Sequence, residues 1–250
     1  MAFRLKVFGI HIFFSLIITL ISLYIVFFVW YPMPLHSAAG VTKIVSIMLA
    51  SFLIIGPVLT FFISKPNKKT LRFDLITILL LQISTLVYGL YYTYDGRPVW
   101  IAYNTNSFDV IWNNNIDNRK LAEALPRYQH VKHFGPEYVA TIIPKKNGVI
   151  SNKLLNEFLL DEFNHGIVPS QRPELYRPLY AANTEIINRA KNIEELYDYN
   201  NQTEVDSILS KYPEAEGFLP LKASALDMVV LISKQHDSKV VKIVDLRPQW

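Results

Sequence analysis

The residues of this chain that could bind a metal ion are two histidines three positions apart. His130 and His133 are followed by Glu137, a spacing that could gather ligands on one face of a helix. Gly135 and Pro136 would interrupt such a helix, and the chain has no cysteine to complete a site. His130 and His133 are therefore weak metal candidates, and the sequence predicts neither a metal site nor a cofactor.

A second group, Asp161, Glu162 and His165, could perform acid–base chemistry. The apolar residues around it recur at helical spacing, which favours a solvated helix face and its C-terminal turn over a catalytic site. The nine glycines form neither a GxGxxG nor a GxxxxGK(S/T) phosphate loop, and there is no GxSxG nucleophile turn. The sequence predicts no catalytic residue and no enzyme. An enzyme or enzyme subunit that uses His130 and His133 is the alternative.

Charge is distributed unevenly along the chain, whose net charge is +4. Seven of the 25 Lys and Arg residues precede residue 95, but only one of the 21 acidic residues, Asp74, does so. The other 156 residues carry 18 basic and 20 acidic side chains and are slightly acidic. Because the basic surplus lies beside long apolar runs, it does not indicate nucleic-acid binding.

Three apolar runs in the first third are long enough to cross a bilayer. They cover residues 8–31, 44–63 and 75–92, with Gly56-Pro57 and Gln82 as their main interruptions. As helices, these runs match a hydrocarbon core of roughly 30 Å. The alternative for the first run is a cleaved signal peptide. The run is longer than the about 7 to 15 apolar residues that such a peptide contains. We predict a three-helix transmembrane domain over residues 1–94 and a soluble domain over residues 95–250.

The cations in the short flanking segments predict the orientation of these helices. The N-terminal tail carries two cations, and the loop between the second and third runs carries four, whereas the intervening loop carries only Lys43. Positive loops remain in the cytoplasm. We therefore expect a bacterial inner-membrane protein with a cytoplasmic N-terminus and a periplasmic C-terminal domain, oriented by the four cations of the topology loop, Lys65, Lys68, Lys69 and Arg72.

The soluble part mixes short strands with amphipathic helices, which predicts an α+β fold. Residues 98–103 and 108–112 are apolar and β-branched and are separated by a turn, as in an antiparallel hairpin. A third strand is expected over 137–144, and a second antiparallel hairpin over 225–233 and 240–246, joined by a polar turn. Helical spacing indicates helices over 151–164, 179–191 and 204–212, and the proline-rich segment 169–178 is expected to be an extended crossing or loop.

Four polar residues lie on one face of the first apolar run, at spacings of four, four and three: His11, Ser15, Thr19 and Ser22. Polar side chains in hydrocarbon seek helix partners. This polar stripe therefore packs on the second and third runs, where Gln82, Ser84 and Thr85 are available, or receives a helix from another protein. A proton relay through His11 is a third alternative.

Four arginines directly precede a proline: Arg97, Arg172, Arg177 and Arg247. Proline biases the preceding residue toward an extended backbone, so each pair can begin or end a strand with its guanidinium projecting. Local ion pairing is the simpler interpretation, and a contact with a partner is the alternative.

Together these features resemble the type IV pilin accessory protein family of the TfpX/TfpZ kind, along nearly the whole chain. The specific features are the basic loop, the Arg-Pro strand entry and the Asp-Leu-Arg-Pro ending, in which Gln249 intervenes before the last tryptophan. Besides the lysines of the loop, these motifs comprise Pro66, Leu71, Asp74, Arg97, Pro98, Asp245, Leu246, Arg247, Pro248 and Trp250.

The resemblance implies a non-enzymatic inner-membrane helper that binds or stabilises the major type IV pilin and promotes pilus assembly. A pilin in the membrane presents one apolar helix, and the resemblance makes His11, Ser15, Thr19 and Ser22 possible contacts for it. A membrane sensor is a further alternative, although the predicted cytoplasmic segments are too short for an output domain.

Overall fold

The computed structural model describes residues 1–234 and 240–248, and the family-motif residue Trp250 lies outside these ranges. The chain divides into two units, Met1–Arg97 and Pro98–Trp250. The first unit contains long helices and the second contains a mixed sheet with helices, which confirms the predicted α+β class.

The first unit contains three long helices, α1 (Ala2–Tyr24), α3 (Val41–Ile63) and α4 (Leu71–Asp95), and a single turn, α2 (Leu35–Ala38). A wider π-helical segment continues α1 to Trp30. All three long helices are long and apolar enough to cross a membrane. They include most of each predicted run and extend beyond it, because polar residues at helix ends fall outside a hydropathy criterion but still form helical hydrogen bonds.

Helix α3 is the central helix of this unit, since it packs against both α1 and α4. Its buried face carries Val45, Leu49 and Phe52, and also Gly56 and Pro57. Pro57 lies inside a continuous helix, as transmembrane helices tolerate. Most leucine and isoleucine side chains on the outer faces are exposed, which is the expected arrangement for helices in contact with lipid.

In the second unit, the described residues form one eight-stranded sheet with the order β4-β3-β1-β2-β6-β7-β8, and β5 also pairs with β6. The strands are β1 (Pro98–Asn104), β2 (Ser107–Trp112), β3 (Glu137–Thr141), β4 (Tyr176–Pro178), β5 (Lys191–Asn192), β6 (Gly217–Lys222), β7 (Met228–Ile232) and β8 (Val240–Val244). The pairs β1–β2 and β7–β8 are antiparallel, as the two predicted hairpins require, and residues 235–239 of the polar turn predicted between β7 and β8 lie outside the described residues. Strand β1 is also parallel to β3, and β2 is parallel to β6.

Three of the described strands, β4, β5 and β6, were not predicted. Strand β6 contains Pro220, which argues against a strand inside a sheet because proline cannot donate to a neighbour. Strand β5 pairs with β6 at Gly217 and Phe218, and β2 pairs with it at Leu221 and Lys222, so Pro220 lies between these two partners. Strand β4 lies in the segment predicted as an extended crossing or loop, and it pairs antiparallel with β3.

Three α-helices accompany the sheet in the part of the chain that the structure describes: α5 (Asn152–His165), α6 (Asn183–Arg189) and α7 (Gln202–Leu209). The Ser151 side chain caps α5 by accepting a hydrogen bond from the Leu154 amide. One apolar cluster surrounds Trp100, Tyr128 and Tyr176. A second cluster surrounds Phe218 and includes Leu246 of the terminal motif.

Candidate functional site

A hydrogen-bonded cluster connects the three long helices through Gln82. His11 lies 2.7 Å (Nδ1) from the Thr60 hydroxyl and 2.9 Å (Nε2) from Gln82 Oε1. Gln82 Nε2 donates to the carbonyl oxygen of Phe52 at 2.7 Å and to the Ser15 hydroxyl at 3.3 Å. The cluster therefore contains residues of α1, α3 and α4.

The directions of these bonds fit a neutral His11 with its proton on Nε2. The carbonyl of Phe52 can only accept, so Gln82 must present its NH₂ group there and its Oε1 to His11. Nε2 of His11 then donates to Oε1, and Nδ1 accepts from the Thr60 hydroxyl. Both ring nitrogens are satisfied without a charge in the apolar bundle.

Gly56 makes room for this cluster. A Cβ atom at residue 56 would overlap the amide group of Gln82. The small residue therefore allows the polar side chain of α4 to reach across to α1, which is a common role of glycine between transmembrane helices.

The other members of the polar stripe are enclosed by the chain itself. Ser15, Thr19 and Ser22 are buried, and the Thr19 hydroxyl has no hydrogen-bond partner among the described residues. Of the expected partners on α4, Gln82 reaches the stripe. Thr85 is exposed and donates to carbonyl oxygens of its own helix. The stripe packs on the other helices of this chain, and a contact with a helix of another protein stays a prediction.

An apolar groove of about 260 Å³ lies between α3 and α4. Ser51 and Thr85 supply hydroxyls on its two sides, and Gly56 and Gln82 also line it. Its other lining residues are apolar: Met48, Phe52, Ile55, Leu59, Ile78, Leu81 and Leu86. The groove thus adjoins the polar cluster through Gln82, and exposed Ile55 and Leu81 lie on its sides.

The topology loop is exposed at all four cations, Lys65, Lys68, Lys69 and Arg72. Lys68 Nζ lies 2.6 Å from the carboxylate of Asp74, which also accepts from the Thr70 hydroxyl at 3.1 Å. Asp74 lies in the first turn of α4, where a negative charge is favourable. Pro66 is exposed and Leu71 is the first residue of α4. These motif residues form the N-terminal boundary of α4.

Of the four Arg-Pro pairs, Arg97 and Arg177 contact nearby backbone. The Arg97 guanidinium stacks on the Tyr94 ring at 3.8 Å and donates to the Tyr94 carbonyl oxygen at 2.8 Å. Arg177 donates to the carbonyl oxygen of Tyr176 at 2.6 Å. Pro98 follows as the first residue of β1.

The terminal motif is held by side-chain contacts as well. The Arg247 guanidinium pairs with Asp245 and donates to the carbonyl oxygen of Asp227. The Asn200 side chain binds the backbone of Arg247 on both sides, accepting from its amide at 2.7 Å and donating to its carbonyl oxygen at 3.0 Å. Leu246 is buried, so the Asp-Leu-Arg-Pro ending, with Pro248, follows β8 as an anchored segment.

Arg172, the arginine of the fourth Arg-Pro pair, belongs to a cluster of charged side chains beneath α5. Arg172 is buried, lies with its guanidinium 4.8 Å from the centre of the Phe158 ring, and pairs with Glu157 at 3.0 Å and with Asp161. Arg119 bridges two carboxylates, donating to Asp161 at 2.9 Å and to Asp117 at 2.8 Å. Lys120 pairs with Glu157 at 2.5 Å.

These cations lower the pKa values of the carboxyl groups that they contact. The hydrogen bonds from Arg119, followed by Arg172, hold the pKa of Asp161 at about 2. Arg119 also lowers the pKa of Asp117, and Lys120 lowers that of Glu157. All three acids are ionised at neutral pH, and the ion pairs of Glu157 and Asp161 connect α5 to Arg119, Lys120 and Arg172.

The expectation that Asp161 lies on a solvated helix face was wrong. Asp161 is buried, because Arg119 and Arg172 from other segments neutralise it there, whereas Glu162 and His165 are exposed. His165 lies 3.6 Å from the Asp161 carboxylate. Asp117 and Arg119 carry no sequence signal of this role, since no local pattern marks a side chain whose partner is distant in the chain.

The two histidines considered for a metal site lie in an exposed loop rather than on a helix. Glu137, the third possible ligand, pairs with Lys132 and lies 3.7 Å from Arg127. Within residues 1–234 and 240–248, no group of three or more His, Cys, Asp or Glu side chains could hold a metal ion.

Comparison with known proteins gives matches at the N-terminus and along the whole chain. The family model described as fimbrial assembly protein FimB matches residues 1–40. The fimbrial assembly protein of serogroup E1 from Dichelobacter nodosus is 28% identical over 257 residues, which covers 97% of this chain and 96% of that relative. Its serogroup I counterpart is 27% identical over the same shares.

A third relative is shorter. The fimbrial assembly protein of serogroups C1 and C2 from the same organism is 32% identical over 127 residues, 50% of this chain and 94% of that relative. No solved structure matches the chain significantly.

Proposed function

Since this chain belongs to the fimbrial assembly protein family, with a role in pilus assembly, we propose that it is an inner-membrane accessory protein that binds the major type IV pilin. In this proposal it acts without catalysis, by holding pilin subunits in the membrane in a form ready for incorporation. The relatives are named for assembly, which agrees with such a role.

The groove between α3 and α4 is the observation that carries the proposal. A pilin subunit presents one apolar helix to the bilayer, and within lipid such a helix gains little from the hydrophobic effect. Association there depends on close packing, small residues and interhelical hydrogen bonds. The groove supplies an apolar lining, a glycine, and the hydroxyls of Ser51 and Thr85.

The polar stripe contributes to this site by shaping it. His11 and Ser15 hold Gln82, and Gln82 lines the groove. A direct contact of His11, Ser15, Thr19 or Ser22 with a pilin helix would require α1 to separate from α3. We therefore propose that His11 and Ser15 act on pilin through the position of Gln82, whereas Thr19 and Ser22 are buried inside the helix unit.

The orientation completes the proposal. The topology loop concentrates four exposed cations, which favours a cytoplasmic location for it and for the N-terminus. With three crossings, the sheet domain is then expected in the periplasm, where the soluble head of a pilin lies. Residues of this domain that contact the pilin head can be identified by site-specific crosslinking, as described below for the groove.

Site-specific photocrosslinking tests the groove. Leu81 lines it and is 65% exposed, whereas its neighbour Leu80 is 61% exposed but does not line it. A benzophenone amino acid at residue 81, in the full chain in cells that express pilin, should give a pilin adduct, and the same group at residue 80 should give much less.

Two results would contradict the proposal. One is equal pilin adducts from residues 80 and 81, which would indicate random encounters in the bilayer. The other is the absence of pilin adducts from residue 81 together with adducts to unrelated membrane proteins.

A further inference from the structure

Helix α5 is amphipathic in the reverse of the usual sense. Its inner face carries the acids Glu157 and Asp161, which pair with Lys120, Arg119 and Arg172. Its outer face carries exposed leucines and a phenylalanine. The acidic side chains that would normally face the solvent are thus paired inside the domain, and the apolar side chains of the helix are exposed instead.

The outer face is extensive for a helix of 14 residues. Phe163 is 88% exposed and Leu160 is 59% exposed, with Leu159 and Leu155 also exposed. Val149, in the turn that precedes the helix, is exposed as well. A contiguous apolar surface of this kind marks a contact with another protein or with lipid.

The charges around this face are mainly cationic. Lys145, Lys146 and Lys153 are exposed at the N-terminal end of α5, and none of them pairs with an acid among the residues that the structure describes. Glu162 is the exposed acid on the helix. A helix with a bare apolar face and a lysine fringe has the chemistry of a segment that lies in the interface of an anionic bilayer.

We propose that the outer face of α5 docks on the anionic lipid surface of the membrane in which the chain is anchored. Phe163 and the leucines enter the headgroup region, while the lysines contact lipid phosphates. The sheet domain follows α4 directly in sequence, so a bilayer surface is its permanent neighbour. This inference concerns lipid and holds whether or not the groove binds pilin.

Spin-label accessibility in the full chain tests this inference, and the absence of cysteine makes single labels straightforward. Asn156→Cys places a nitroxide on the outer face of α5 and keeps every apolar side chain. Asn188→Cys is the matched control, since it is an exposed asparagine on α6. Both proteins are placed in nanodiscs with a single copy each, made of phosphatidylglycerol and phosphatidylcholine or of phosphatidylcholine alone.

The ratio of oxygen to nickel-chelate collision rates should be several-fold higher at residue 156 than at residue 188, and should fall in discs without phosphatidylglycerol. Adding Phe163→Asp should abolish the difference, whereas Tyr180→Asp, at another highly exposed ring outside α5, should preserve it.

Equal ratios at the two sites would overturn the inference. So would protection of residue 156 that appears only in discs with two copies, which assigns the face to a second chain. Protection that requires added pilin would assign the face to pilin and overturn it as well.

Discussion

At the scale of single residues, Arg172 shows how much of the sheet domain depends on one buried charge. Its guanidinium is 1% exposed and contacts two acids of α5 and the ring of Phe158. A buried arginine is tolerated only where its hydrogen bonds are satisfied. The carboxylates of α5 supply that compensation for the two terminal nitrogens, whereas Nε, 4.0 Å from the Asp117 carboxylate, has no hydrogen-bond partner among the described residues.

Replacement of Arg172 by alanine should therefore destabilise the sheet domain strongly. It leaves buried Asp161 short of a partner, and loss of one member of a buried ion pair costs about 3–5 kcal/mol. Urea unfolding of the full chain in detergent, followed by the fluorescence of Trp100 and Trp112, measures this change. Arg127→Ala is the control, since its exposed pair with Glu137 is worth at most about 1 kcal/mol. Equal losses in the two variants would show that Arg172 is not structurally special.

Asp161 should make the stability of the domain sensitive to acid. Its pKa of about 2 in the folded chain lies below the roughly 3.9 of an unfolded aspartate. The folded state therefore holds fewer protons, so this stabilisation is complete above about pH 4 and is lost as the pH falls toward about 2. Urea midpoints for Asp161→Asn should change less over that range than those of the parent chain. Glu162→Gln, which changes the exposed neighbouring acid, should behave like the parent, and an equal flattening in it would contradict the assignment.

The location of Asp161 could not be read from the sequence. Helical spacing correctly predicted α5, but it could not show which face is buried. The face is decided by Arg119, 42 residues away, and by Arg172, 11 residues away. By contrast, the connection of Gln82 to the polar stripe of α1 was foreseen, because in hydrocarbon a polar side chain has few possible partners.

At the scale of elements, the local sequence pattern was sufficient to predict a helix or a hairpin where a single structural rule applied. The three helices follow from apolar length, and the hairpin of β1 and β2 from two apolar runs around a short turn. Strand β6 was not predicted, and its Pro220 argues locally against a strand inside a sheet. It is accommodated because, on one side of β6, Pro220 lies in the interval between the residues that pair with β5 and those that pair with β2. Such an interval depends on the order of strands in the sheet, which local patterns do not contain.

The contact between α3 and α4 should tolerate no added side chain at Gly56. Gly56→Ala forces Gln82 out of its position, which strains the packing and weakens its bonds to His11, Ser15 and Phe52. We expect a loss of about 1–3 kcal/mol for such overpacking. Titration with a denaturing detergent, followed by the fluorescence of Trp30, measures the stability of the helix unit.

Gly9→Ala is the matched control for this change. It adds the same methyl group to a transmembrane helix, but no atom beyond the adjoining turns of α1 lies within 4 Å of the added carbon, so its effect should be near zero or slightly stabilising. Equal losses of stability in the two variants would show that the effect does not come from the overlap with Gln82.

At the scale of the whole molecule, the chain joins a helix unit with a basic surplus to a slightly acidic sheet unit. The helix unit has few charges apart from the short segments beside its helices, so those segments can direct insertion. The sheet unit lacks cysteine, and its core is therefore stabilised by packing and by the paired charges beneath α5. Similarity to the fimbrial assembly proteins extends along 97% of the chain. No sequence motif, by contrast, identifies the helix that we propose for the groove between α3 and α4.

The orientation of the whole molecule is the prediction on which the periplasmic role depends. In spheroplasts, a membrane-impermeant maleimide should label Glu214→Cys, on the exposed surface of the sheet unit, before lysis. It should label Asn67→Cys, in the topology loop, only after lysis. Asn67 has a φ of 61°, so cysteine there costs about 1–2 kcal/mol, which an exposed loop can absorb by local adjustment. Labelling of residue 67 before lysis, at the rate of residue 214, would place the basic loop outside. The sheet domain would then lie on the other side of the membrane from a pilin head, and the proposed role in presenting pilin would fail with the orientation.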